Sequence, residues 1–147
     1  MFHLTGIQYH TDNTNVNISQ IDGDKNTVMA RLHQEIAYMY ASDLLKGVAI
    51  LIVDDDLNTV KRTQVFKLEG DADAQKIEFM GVQYLADGTY IMIPTGGYDS
   101  LNTALSRYHN EMCSMYGSDQ LRGCGVKIFK DSLEDILNVT EFKEITD

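Results

Sequence analysis

The chain repeats itself, and that repeat limits its possible folds more than any other property. Gly6-Ile7-Gln8-Tyr9 returns as Gly81-Val82-Gln83-Tyr84, and Asp12, Thr14 and Ile18 return as Asp87, Thr89 and Ile93. Beyond a loop near residue 21 the offset grows by one residue. Asn26 to Gly47 then aligns with Asn102 to Gly123 without a gap, and 11 of those 22 positions are identical. Ile52, Asp55, Leu57, Phe66 and Lys67 return as Ile128, Asp131, Leu133, Phe142 and Lys143. A fixed-period repeat means one supersecondary unit used twice. The predicted units are residues 1–69 and 76–147, joined by a short acidic linker, Gly70 to Gln75.

Both copies read as the same elements. Residues 2–10 and 14–20 alternate apolar and polar about Asp12-Asn13, and the second copy has Asp87-Gly88 at that place, the signal of a hairpin. A helix follows over about 25–45 and 101–121. Its apolar positions Val28, Met29, Leu32, Ile36, Met39 and Tyr40 recur at 3.6-residue spacing. The matching stripe is Ala104, Leu105, Tyr108, Met112, Met115 and Tyr116.

Asp24 and Ser100 suit N-caps, while Gly47 and Gly123 suit the glycine that ends a helix. A buried strand follows at Val48–Val53 or Cys124–Phe129, and a last strand spans about 59–68 or 136–145. Asp131–Leu137 could also begin a short helix, but its counterpart Thr59–Leu68 is rich in β-formers. The predicted fold class is therefore α+β, a tandem β-β-α-β-β unit. Each unit is a four-stranded antiparallel sheet with one helix, and the pair packs about a pseudo-two-fold axis. Pro94 marks the second strand of the second copy as an edge.

Charge narrows the function classes. The net charge is −10, and division at residue 73 gives −5 on each side, so there is no basic half or tail. Such a field repels phosphate backbones, and nucleic acid is not an expected partner. No stretch is long and apolar enough to span a bilayer, and no signal peptide is legible at the start. Two cysteines, Cys113 and Cys124, form no framework, which suits a reducing cytoplasm.

Residues kept in both copies were held there for packing or for a site used twice. With Leu32 at the centre of the stripe, His33 and His109 fall about 100° to one side, and Glu35 and Glu111 about 60° to the other. The His-x-Glu pair therefore points two ways. A half-buried ring bonded at the sheet edge is the structural reading of each histidine. Arg31–Glu35 and Arg107–Glu111 read as exposed i,i+4 salt bridges.

Asp43 and Asp119 fall in the expected last helical turn, where the dipole disfavours a carboxylate. They either cap the following backbone or point into a cleft between the units, close to Tyr40 and Tyr116. Gln8 and Gln83 face opposite to Ile7 and Tyr9. If the side of Ile7 meets the helix, these glutamines lie on the other sheet face, at the inter-unit interface.

Three suggestive motifs are absent from the other copy. Cys113 matches Ala37, Thr95-Gly96-Gly97 matches Gln20-Ile21-Asp22, and Asp54-Asp55-Asp56 matches Lys130-Asp131-Ser132. The cysteines read as small hydrophobes, the Gly-Gly as a weak anion-turn signal, and the acidic triplet as a solvated hairpin turn. No cofactor, metal site or catalytic residue is predicted.

In size, acidity and its short β-β-α-β-β unit the chain resembles small acidic proteins of phages and mobile elements, such as inhibitors of host defence and sponges for nucleotide signals. That resemblance implies a sequestering or inhibitory role and carries no functional residue with it. The leading expectation is a non-catalytic binding protein with a pseudo-symmetric site, its partner a protein or a small molecule. The alternatives are an acidic inhibitor of a basic protein surface, a small acid–base enzyme using the repeated His and Asp residues, and a structural component that forms homo-oligomers.

Overall fold

A computed structural model describes residues 1–69, 77–130 and 134–144. The first copy runs β1 (Phe2–His10), β2 (Asn15–Gly23), α1 (Lys25–Ala41), β3 (Leu45–Asp54) and β4 (Thr59–Phe66). The second runs β5 (Ile77–Leu85), β6 (Tyr90–Tyr98), α2 (Leu101–Gly117), β7 (Leu121–Lys130) and β8 (Glu134–Phe142). Each copy forms its own four-stranded antiparallel sheet, in the orders β2-β1-β3-β4 and β6-β5-β7-β8. Pro94 is on an edge strand, as its missing N–H requires. The linker Gly70–Gln75 and the residues Asp131–Leu133 lie outside the described residues, and from Glu134 onward the chain is strand.

The turns follow from their residues. Asn13 (φ 70°) and Gly88 (φ 92°) supply the left-handed step of the two equivalent hairpins. Before each, an aspartate accepts the backbone N–H two residues on, Asp12 from Thr14 and Asp87 from Thr89, both at 2.9 Å. The acidic triplet is a hairpin turn. Asp54 Oδ1 accepts the N–H groups of Asp56 (3.0 Å) and Asn58 (2.9 Å).

The helices are shorter than the periodicity implies. Each stops after 17 residues, at Ala41 and Gly117, where Ser42 and Ser118 turn extended. Ser and Asp compete for their own backbone and favour such exits. Strands begin at Leu45 and Leu121, so Gly47 and Gly123 are strand residues, not helix-ending glycines.

Their smallness serves the sheet instead. A Cβ at Gly47 would occupy the space taken by the Phe66 ring, and at Gly123 that of Phe142. Across these glycines Tyr9 stacks on Phe66 (centroids 5.4 Å apart) and Tyr84 lies against Phe142 (5.2 Å). The orphan helix carbonyls find another partner. Lys67 Nζ donates to the Ser42 carbonyl, and Lys143 Nζ to those of Met115 (2.7 Å) and Ser118. A cation there also meets the negative end of the helix dipole. Lys143→Met is expected to cost about 1–2 kcal/mol, read as a lower urea midpoint at unchanged m-value; an unchanged midpoint would refute the capping role.

The joint between the copies is made by the helices. Each helix packs against its own sheet on one side and against the other helix on the other, and the outer faces of both sheets are left open. The order sheet–helix–helix–sheet encloses two apolar cores. One is built around Leu4, Val28, Leu32, Met39 and Ile52, the other around Phe79, Ala104, Met112, Met115 and Ile128. Cys124 is a buried thiol in the second core, at the place of Val48.

Strand register places Leu4, Gly6 and Gln8 opposite the buried Ile52, Ile50 and Val48. Gln8 therefore faces the helix, and Ile7 and Tyr9 face outward, the reverse of the expectation from apolarity. The joint is helix on helix, and Gln8 reaches its border from the helix side of the sheet, lining a second cleft with Ser106 and Asn110 of the other copy.

Candidate functional site

The repeated polar residues divide into those that hold the molecule together and those that line a cleft. The first group starts with a three-residue chain found in both copies. Gln8 Nε2 donates to Glu35 Oε2 (3.2 Å), and Arg31 Nε donates to Glu35 Oε1 (2.7 Å). Gln83, Glu111 and Arg107 repeat this at 3.2 and 2.8 Å. Glu35 is only 8% exposed, so Arg31–Glu35 is a half-buried pair, not the exposed bridge its spacing suggests. The cause is the second helix, which covers a flank that a single helix on a sheet would leave wet. A buried carboxylate must be paired, and Gln8 and Arg31 satisfy it.

The histidines sit on the pseudo-dyad. His33 Nδ1 lies 2.9 Å from His109 Nδ1, with the ring centroids 5.1 Å apart. They are at the helix joint, not at the sheet edge. Tyr116 stacks on His33 (5.6 Å, 9°) and Tyr40 on His109 (5.9 Å, 15°), so the pair is capped from both sides by dyad-related rings. Burial drives the pKa of His33 down to about 4 and that of His109 down to about 3. Both are therefore neutral at pH 7, and the short contact joins a ring with Nδ1–H to a ring with a bare Nδ1.

Three groups around the pair break the symmetry: Tyr108, Lys61 and Glu141, whose counterparts are Leu32, Leu137 and Val65. Glu141 Oε2 lies 3.9 Å from His33 Nε2 and accepts the Tyr116 hydroxyl at 2.9 Å, whereas the matching position in the first copy is Val65. Burial and the nearby Glu141 carboxylate push the Tyr116 phenol well above its usual range.

Small side chains let the helices approach. Ser106 Oγ donates to the Ala37 carbonyl (2.9 Å), and Ala30 and Cys113 are the dyad counterparts of that pair. Cys113 is thus a small residue of the joint. The helices run antiparallel, so the start of each lies by the end of the other. Asn102 at the start of α2 brackets the Leu68 backbone of the first copy, its Oδ1 accepting the N–H and its Nδ2 donating to the carbonyl, both at 3.2 Å. Asn26 at the start of α1 donates to the Glu144 carbonyl of the second copy (3.0 Å).

Where the end of α1 meets the start of α2 there is a polar cleft of about 540 Å³. The first copy contributes Tyr40, Asp43 and Lys67 to its walls. The second contributes Tyr98, Thr103 and Arg107, with Ser106 and Asn110 further along α2. Arg107 Nη1 reaches the Tyr98 hydroxyl at 3.3 Å. Asp43 is exposed and does not cap the helix; Ser42 Oγ and Ser118 Oγ accept the N–H two residues on, at 3.2 Å each.

The dyad carries six of the lining residues onto identical ones. Tyr40, Asp43, Lys67, Asn102, Thr103 and Arg107 map to Tyr116, Asp119, Lys143, Asn26, Thr27 and Arg31. The two sides differ at Ala41, Ser106 and Asn110, which are Gly117, Ala30 and Gln34 on the other side, at Ser100, which is Asp24, and at Tyr98, whose pairing position in the first copy is Gly23.

Of the sequence-derived candidates, Tyr40 and Asp43 come together at this cleft, and Tyr116 and Asp119 are their dyad equivalents. His33 and His109 pair behind them in the joint, and Gln8 and Gln83 belong to the strand–helix ties. Lys67, Asn102, Thr103 and Arg107 were missed. All but Arg107, read only as a salt-bridge partner, carried the signal of identity in both copies and nothing more. Tyr98 had no such signal. No protein-family model matches the chain, and neither a curated protein nor a solved structure matches it. Among the described residues no helix is long and apolar enough to cross a membrane.

Proposed function

We propose that the protein is a non-catalytic binding protein that holds a small polar ligand in the cleft between its two copies. The observation that carries this reading is the identity, across the dyad, of six residues lining one cleft. A volume of about 540 Å³ is within the range of small-molecule sites. The walls offer both charges, several amide and hydroxyl groups, and the aromatic faces of Tyr40 and Tyr98. Neither histidine is among the residues that line it. A sequestering role of this kind agrees with what the resemblance to small phage and mobile-element proteins implies.

The test is native mass spectrometry of the purified protein, followed by equilibrium dialysis against a metabolite extract. Wild type is expected to retain a small molecule, and Asp43→Ala and Arg107→Gln to weaken retention tenfold or more. Asp43 is exposed, so its variant should keep wild-type stability within about 0.5 kcal/mol. Retention unaffected by both substitutions, or no retention by wild type, would overturn the reading.

A further inference from the structure

We propose that the His33–His109 pair is a two-proton lock on the joint between the copies, in which the first proton is tolerated and the second opens the joint. The argument starts from the 2.9 Å contact between two Nδ1 atoms. Two bare nitrogens, or two N–H groups, would repel at that distance, so the rings must carry unlike tautomers. Perfect two-fold symmetry is impossible there, and the surroundings decide which ring donates.

Glu141 decides it. Its carboxylate faces Nε2 of His33 at 3.9 Å, while His109 has Val65 at the corresponding place. A carboxylate accepts and does not donate, so the neutral ring beside it turns Nε2–H toward it and keeps Nδ1 bare. His33 is therefore the acceptor and His109 the donor, with the Nδ1–H of His109 directed at His33. A first proton enters at the bare Nε2 of His109 and leaves the Nδ1–H···Nδ1 bond intact; the bridging proton then passes to His33, where the carboxylate of Glu141 faces the charge. A second proton has only the remaining bare Nδ1 to occupy, and two N–H groups then face each other. The rings must part, and the stacked Tyr40 and Tyr116 part with them.

The other groups facing the pair set the strength of the lock. From α2, Tyr108 lies against both rings and Tyr116 against His33; from α1, Tyr40 lies against His109. From β4, Lys61 opposes a charge on His33, and from β8, Glu141 favours it. A charged His33 in turn opposes the charging of His109, which separates the two steps and agrees with the lower value of His109.

Nitrogen-15 NMR of the imidazoles in the full chain tests each part. At pH 7 His33 should show Nε2–H and His109 Nδ1–H; like tautomers on both rings would overturn the proposal. On acidification two separate steps are expected, His33 first. Glu141→Gln, which keeps the shape and the Tyr116 contact, should move the first step down by about one pH unit. An unmoved first step would remove His33 as the ring that bears the first charge.

Tyrosine near-ultraviolet dichroism and the radius of gyration should change with the second step, while the far-ultraviolet signal persists. Opening with the first step would refute the order of events. Loss of the far-ultraviolet signal in the same step would show that the copies do not outlast the joint, and would also refute the lock.

Discussion

Phe79→Ala is expected to lower the unfolding free energy by about 3–5 kcal/mol, because Phe79 is the bulkiest fully buried side chain among the described residues. Phe79 is 1% exposed in β5 and faces α2. Its ring meets Tyr98 edge-on at 6.3 Å, and the Arg107 guanidinium lies 5.4 Å from its centroid. Truncation removes the buried ring and leaves a cavity that the flanking strands β6 and β7 cannot collapse into without breaking their pairing. Tyr98 and Arg107 also form one wall of the cleft, so retention of ligand should fall in the same variant. Leu4, the counterpart in the first copy, is fully buried in the first core, whereas Tyr98 and Arg107 pack on the second. Leu4→Ala should cost about 2–5 kcal/mol and spare ligand retention under conditions where it stays folded. Urea unfolding of the two variants checks the first statement, and a cost below about 1 kcal/mol for Phe79→Ala would refute it.

Acid should destabilise the fold through the histidine pair. Both folded values lie below the ordinary histidine range, at about 4 and about 3, because burial disfavours the charged rings. The unfolded chain, with values near 6.5, then binds protons that the folded chain does not. Stability from this source is complete above about pH 6.5 and is lost as the pH falls through the window from there toward 3. Each group contributes a slope of up to about 1.4 kcal/mol per pH unit within that window.

Most small proteins lose stability in acid through their carboxylates at lower pH, so the onset near 6.5 is the distinguishing feature. A double variant, His33→Gln with His109→Gln, should flatten the slope between pH 6.5 and 5 while keeping a hydrogen-bonding pair in the joint. Equal slopes in wild type and double variant would show that the pair does not titrate on unfolding.

How much of this was legible follows from the distance over which each decision is made. Hairpin turns, helix starts and strand identities depend on residues a few positions apart. Asp24 and Ser100 do cap the helices, each accepting the N–H three residues on. The helix ends were harder. The apolar period runs on past Ala41, and the exit is enforced by Ser42 together with Lys67, a residue 25 positions further along.

The facing of β1 was misread for a physical reason. Ile7 and Tyr9 are more apolar than Gly6 and Gln8, yet they face outward, because Gln8 finds Glu35 and Gly6 allows the close approach of β3. A Cβ at Gly6 would lie 2.7 Å from the Ala49 carbonyl oxygen. A one-residue change of parity reverses every side chain of a strand, and only the tertiary partner of Gln8 settles it. Thr27 and Thr103, Asn26 and Asn102, and Lys67 and Lys143 were visible as identities, but an identity does not say whether a residue ties the fold or lines a cleft.

By itself the sequence determined that one unit is used twice, that each unit is two hairpin strands, a helix and two further strands, and which polar residues both copies share. Those properties are local or are repeated in the text of the chain. The tertiary structure decided that the helices, not the sheets, form the joint. It thereby decided that His33 meets His109 across 76 positions and that Tyr40 and Asp43 meet Arg107 across the cleft. A helix wheel counts one buried face, and these helices are buried on two. The second face exists only once the other copy is in place.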